Sequence, residues 1–262
     1  MKKHLMCLAA AALPLLAQPA LAKKVTRTVE YKDGAVTLEG YLVYDDEKVK
    51  TTAPALVVVH DWMGLTDVTR KSADQAAELG YVAFAADIYG KGVRPKDMQA
   101  AGAEAGKYKA DRPLLARRVQ LAVDAVRAEK NVNPRKVAAS GYCFGGTAVL
   151  ELARSGADIA GVVSFHGGLE TPKGATAPLK PRVLVLHGAD DPYVPEKEVL
   201  AFQTEMRNAK ADWQFVHYSG AVHAFTNPFA GNDPSKGAAY NEVADRRSFV
   251  AFKSFLGELF AQ

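Results

Sequence analysis

Cys143 lies in Gly141-Tyr142-Cys143-Phe144-Gly145-Gly146, after the apolar run Val137-Ala138-Ala139-Ser140 and before Thr147-Ala148-Val149-Leu150-Glu151-Leu152, which favours a helix. A strand that turns sharply into a helix around a nucleophile needs small residues two positions to either side, and Gly141 and Gly145 supply them. The pattern is a nucleophile elbow carrying a thiol. The bland alternative is a buried structural Cys beside a glycine turn, since unpaired Cys is among the most buried residue types. Two downstream partners weigh against it: an acid in Gly188-Ala189-Asp190-Asp191-Pro192-Tyr193-Val194-Pro195 and a histidine in Ser219-Gly220-Ala221-Val222-His223-Ala224-Phe225. Each follows a stretch that reads as a strand.

Cys143, Asp191 and His223 together could carry acyl transfer. A free thiol with a pKa of about 8.5 is only slightly ionised at neutral pH, so attack is helped by an adjacent imidazole and by the N-terminus of the helix that begins near Phe144. His223 would take the proton and return it to the leaving group, while Asp191 would hold the imidazole in the useful tautomer. Asp190 competes for the acid role but is read as ordering the turn through local backbone bonds. A tetrahedral oxyanion needs backbone donors already in place. The elbow offers the Phe144 N–H, and the loop His60-Asp61-Trp62-Met63-Gly64-Leu65 is expected to offer that of Trp62.

The elements that must position these groups read as one α/β domain. Segments 25–31 and 37–44 alternate around Lys32-Asp33-Gly34 and predict an antiparallel hairpin. Segments 55–59, 82–86, 137–140, 159–165 and 183–187 are continuous apolar runs, as expected of parallel strands covered on both faces. A further strand is expected over 213–218. Helical patterns fall at 69–79, 112–129, 144–154, 195–210 and about 239–260. The alternation predicts a mostly parallel doubly wound sheet with helices on both faces, whose ligands bind at the carboxyl ends of the strands. The order nucleophile, acid, histidine, each just after a strand, is that of the α/β-hydrolase fold.

At this level the chain resembles the dienelactone hydrolase family, the cysteine branch of the α/β-hydrolases. The resemblance rests on the loop from His60 to Leu65, on Ala86-Asp87-Ile88-Tyr89-Gly90, on the Cys143 elbow, on the stretch from His187 to Pro195 and on His223-Ala224-Phe225. It implies hydrolysis of a small ester or lactone through a thioester acyl-enzyme, with no cofactor. It also implies that an acidic residue after the strand-end histidine orients the nucleophile, which is Asp61 here, where better-known members carry Glu. Dienelactone-specific members clamp a substrate carboxylate with two arginines, and this chain has Lys91 and Asn227 at those positions. Lys lacks the bidentate fork and Asn is neutral, so half a clamp at best is expected. Arg94 reads as a solvated loop residue or a replacement charge. Tyr89 and Phe225, with Trp62, Phe144 and Tyr142, stand as pocket lining or core, and residues 226–237 as a lid or rim loop.

Composition narrows the alternatives. Lys and Arg number 33 against 29 acidic residues in 262, and the basic residues are dispersed, which gives no case for nucleic acid or a membrane surface. A small-molecule partner is expected. His60, His166, His187 and His217 read as structural, and no metal or dinucleotide fingerprint is visible. Residues 1–22 have the basic, apolar and small-residue layout of a cleaved export signal, which leaves 23–262 as the domain and Cys143 as the lone thiol. An exported, periplasmic or secreted enzyme is thus the expectation. Its rivals are a ligand-binding or redox-sensing protein on a hydrolase scaffold, and an acyltransferase.

Overall fold

The computed structural model describes residues 24–172 and 178–261, and the leader expected at 1–22 lies outside them. Eight strands form one sheet: β1 (Lys24–Asp33), β2 (Val36–Asp45), β3 (Ala53–Val59), β4 (Val82–Ala86), β5 (Val132–Tyr142), β6 (Gly161–Phe165), β7 (Arg182–Gly188) and β8 (Trp213–Tyr218), in the order β1-β2-β4-β3-β5-β6-β7-β8. β1 and β2 form the expected antiparallel hairpin, which joins the sheet antiparallel to β4. From β4 to β8 the neighbours are parallel.

Period two along the central strands sends alternate side chains into two separate cores. On β3, Ala55, Val57 and Val59 enter one core, while Leu56 and Val58 enter the other. The first core is completed by α2 (Met98–Ala110), α3 (Arg112–Arg127), α4 (Phe144–Arg154) and α5 (Glu196–Asn208). α1 (Asp67–Glu78) and α6 (Glu242–Phe260) cover the opposite face, with Phe252, Phe255, Leu256 and Leu259 of α6 buried. This is the doubly wound α/β-hydrolase arrangement expected from the alternation of elements.

One helix was not anticipated. α2 reads Met-Gln-Ala-Ala-Gly-Ala-Glu-Ala-Gly-Lys-Tyr-Lys-Ala, and it buries only Ala101, Ala105 and Tyr108. Small residues and two glycines blur the amphipathic pattern that normally announces a helix. The legible signals were Asp97, whose side chain accepts from the Ala100 N–H as an N-cap, and the four- and three-residue spacing of the buried trio.

Strand order reverses around β3, which has β4 on one side and β5 on the other. Val59 pairs in register with Gly141, so the chain leaving β3 and the elbow leaving β5 emerge side by side. Such a switch point is where an open parallel sheet leaves a crevice for ligand.

Candidate active site

At the end of β5 the backbone of Cys143 takes φ 53° and ψ −114°. Positive φ is costly for a residue with a Cβ, and such outliers collect at functional sites. The glycines on either side are sterically required. A Cβ on Gly141 would stand 2.1 Å from the carbonyl oxygen of Gly145, and one on Gly145 would stand 2.3 Å from that of Val59. The elbow therefore lets α4 start directly against the end of β3, with the thiol held out of the sheet.

Three loops bring three side chains into line. The Cys143 Sγ lies 3.0 Å from His223 Nε2, and His223 Nδ1 lies 2.8 Å from Asp191 Oδ2. Asp191 is buried, and its other oxygen accepts from the Tyr193 N–H at 2.9 Å. Because a carboxylate can only accept, Nδ1 carries the proton and Nε2 is left to face the sulfur. Burial works against charge on the imidazole, but the charge on Cys143 and the hydrogen bonds to Asp191 and Cys143 outweigh it. His223 is pushed up to about 10. Asp190 does not bond within its own turn as expected but ties its loop to the one that carries His223, accepting from the Gly220 N–H at 3.0 Å.

The thiol opens on a cavity of about 810 Å³ walled chiefly by apolar side chains, among them Trp62, Met63, Val68, Met98, Tyr142, Phe144 and Phe229. Its charged lining is Asp61, Lys109 and Lys236. Trp62 and Phe144, the two residues expected to donate backbone N–H groups, both border it. Phe144 is the first residue of α4, where N–H groups have no intrahelical acceptor. The Asp61 carboxyl accepts from the Met63 N–H at 2.8 Å, and burial raises it above the ordinary carboxylate range against the pull of that bond. The thiol faces His223 rather than Asp61.

Four of the pocket expectations are corrected. Lys91 turns toward the hairpin, where its Nζ lies 2.5 Å from Glu30 and 3.6 Å from Glu39, and it takes no part in the wall. Arg94 is neither solvated nor a replacement clamp: it bonds the carbonyls of Leu65, Gly90 and Val93 and pairs with buried Asp87. Tyr89 is buried behind the wall and supports it, its hydroxyl donating to the Trp62 carbonyl at 3.0 Å. Phe225 is fully buried, edge-on to His166. Asn227 does reach the cavity, with its Oδ1 accepting from the Phe229 N–H. Among the described residues no arginine lines this space.

Met98 and Lys109 enter the wall from the unanticipated helix α2, and Thr226, Phe229, Ala230 and Lys236 from the segment after His223. That segment forms two short 3₁₀ turns, Pro228–Ala230 and Pro234–Lys236, and so supplies one rim of the site. Among the described residues no group of three or more His, Cys, Asp or Glu is placed to hold a metal ion, and no helix is long and apolar enough to cross a membrane.

Comparison with known proteins bears on the fold and the family. The sequence profile of the dienelactone hydrolase family matches residues 38–260. A dienelactone hydrolase-like promiscuous phosphotriesterase from metagenomic libraries is similar in structure, with a TM-score of 0.84 and 39% identity over 90% of this chain and 98% of that one. An uncharacterised protein of Caenorhabditis elegans is 35% identical over 147 residues, which is 55% of this chain and 93% of that protein. A candidate carboxymethylenebutenolidase of Aquifex aeolicus is 27% identical over 206 residues, 76% of this chain and 86% of its own. Since the matched profile runs from β2 to the end of α6, with the elbow and the loops of Asp191 and His223 inside it, the chain belongs to the dienelactone hydrolase family of carboxylic ester hydrolases.

Proposed function

We propose that this enzyme hydrolyses a small, uncharged ester or lactone through a thioester on Cys143. The observation that carries the proposal is the unbroken chain from Asp191 to His223 to Cys143, with contacts of 2.8 and 3.0 Å, at an apolar cavity. The sulfur, as thiolate paired with the His223 imidazolium, attacks the carbonyl carbon, and the carbonyl π electrons move to oxygen. The N–H groups of Trp62 and Phe144 hold that oxyanion. As it collapses, the C–O bond to the leaving group breaks and His223 returns its proton to the departing oxygen. Water, deprotonated by His223, then adds to the thioester carbonyl, and as that second oxyanion collapses the C–S bond breaks, releasing the acid and restoring the thiolate–imidazolium pair.

The wall argues for an uncharged substrate. A bidentate clamp on a carboxylate needs a forked guanidinium, and none lines the cavity among the described residues, where Lys109 and Lys236 offer only point charges on an otherwise mainly apolar wall. Neutral phosphotriesters also suit such a wall, and the 39%-identical metagenomic enzyme is described as a promiscuous phosphotriesterase. The test is turnover of aryl esters, small lactones and aryl phosphotriesters, under reducing conditions, by the enzyme and by Cys143→Ala. Ester or lactone turnover lost in the variant supports the proposal. Equal turnover by both proteins contradicts it, and a ligand-binding role moves forward if neither acts on any member of the panel. Export directed by residues 1–22 is part of the same proposal.

A further inference from the structure

The thiol and its histidine sit on different loops, and a second buried histidine touches both. His166 follows β6, is buried, and holds φ 39°, an uncommon conformation for a side-chain-bearing residue. Its own N–H donates to the Leu186 carbonyl at 2.9 Å, which fixes it to the end of β7. The Cys143 N–H is shared between the Phe165 carbonyl at 3.0 Å and His166 Nδ1 at 3.2 Å. Since Nδ1 accepts, Nε2 bears the ring proton and donates to Thr226 Oγ1 at 2.8 Å. Thr226 lies three residues beyond His223 and lines the cavity. The ring also meets His223 edge-on, with centroids 5.3 Å apart, and Phe225 at 5.1 Å.

We propose that His166 is a positioning residue of this reaction, a bridge from the nucleophile's backbone to the general base's loop that sets the separation of thiol and imidazole. The proposal rests on the Cys143–His223 reading above. The ring suits the task because its two nitrogens serve opposite needs, an acceptor toward the strained elbow and a donor toward Thr226. It is also suited to remain neutral beside a charged His223: burial, and then the nearby His223 charge, hold it well below its ordinary range. A misplacement of about 1 Å between reacting groups costs on the order of 100-fold in rate, so the bridge acts on kcat.

Side-chain geometry separates its two arms. Asn places its oxygen where Nδ1 stands but is too short to reach Thr226, and it tolerates positive φ. His166→Leu removes both arms, His166→Asn keeps the elbow arm, and Thr226→Val removes only the acceptor for Nε2. The experiment measures kcat and KM on an activated aryl ester, together with the rate of Cys143 alkylation by iodoacetamide, for all three variants. Expected are a loss in kcat on the order of 10- to 100-fold for His166→Leu with KM within about twofold, and slower alkylation in step. His166→Asn and Thr226→Val, which each cut the arm to the general base's loop while leaving the elbow arm, are expected to show an intermediate loss in both. An unchanged kcat per alkylatable thiol in His166→Leu would overturn the proposal. If that variant does not fold, parental kcat and alkylation in both His166→Asn and Thr226→Val would overturn it. Alkylation needs no turnover, so the bridge remains measurable even if Cys143→Ala were to retain activity and sink the catalytic reading.

Discussion

Cys143 has a backbone conformation that its neighbours impose rather than one it prefers. Gly141 and Gly145 are forced by close approach, and the Cys143 N–H is held by two acceptors beyond its own strand. Strain of this kind costs about 1–3 kcal/mol per residue and persists only where the surroundings over-determine it. The elbow was legible because its glycines are dictated by contact distances that no other residue can meet. Lys91 was not. Its place in the chain suggested a substrate clamp, yet its direction depends on the non-local pairing of β2 with β4, which brings Glu30 and Glu39 within its reach. Exposed pairs of this kind are worth about 0–1 kcal/mol. Lys91→Ala is therefore expected to leave kcat/KM within about twofold for neutral and carboxylated lactones alike. A tenfold loss confined to the carboxylated substrate would return Lys91 to the site.

At the scale of elements, the sheet brings the reacting groups together and the pieces outside it shape what they can reach. The loops after β5, β7 and β8 carry thiol, acid and imidazole, and those strands were legible as apolar runs with chemistry at their carboxyl ends. The rim was harder to read. α2 hides its helical period behind alanine and glycine, so the sequence carries no sign that Met98 and Lys109 reach the site, while Phe229 sits on a 3₁₀ turn with no periodic signal. Met98 and Phe229 both line the cavity and are 74% and 76% exposed, which makes them free apolar surface at its mouth. Covering such a side chain with substrate is worth roughly 1–2 kcal/mol, or about tenfold in affinity. Met98→Ser and Phe229→Ser should each raise KM several-fold for bulky aryl or long acyl esters, with kcat and acetate-ester kinetics little changed. Equal losses on acetate and long-chain esters would show that these residues order the rim instead of contacting substrate.

Across the whole molecule, the fold holds several histidines in their neutral form. His60 and His187 are buried, and burial lowers each to about 4, while His166 is held well below its ordinary range. Unfolding exposes them to water, where the ordinary value is near 6.5, so below that pH the unfolded chain binds more protons than the native one. Stability should therefore fall as pH drops from about 6.5 toward 4, at a cost on the order of 3 kcal/mol for His60 and for His187. Thermal denaturation across that range should show a falling Tm, and His187→Gln should flatten the decline. A Tm that stays level down to pH 4 would contradict the burial account. The central claim, a thioester on Cys143, is tested most directly by rapid acid quench during turnover of a slow aryl ester, followed by intact-protein and peptide mass measurement. The account predicts one acyl increment on the peptide containing Cys143, absent from Cys143→Ala, which should also be inactive. An active Cys143→Ala, or an acyl group carried on any other residue during turnover, would contradict it.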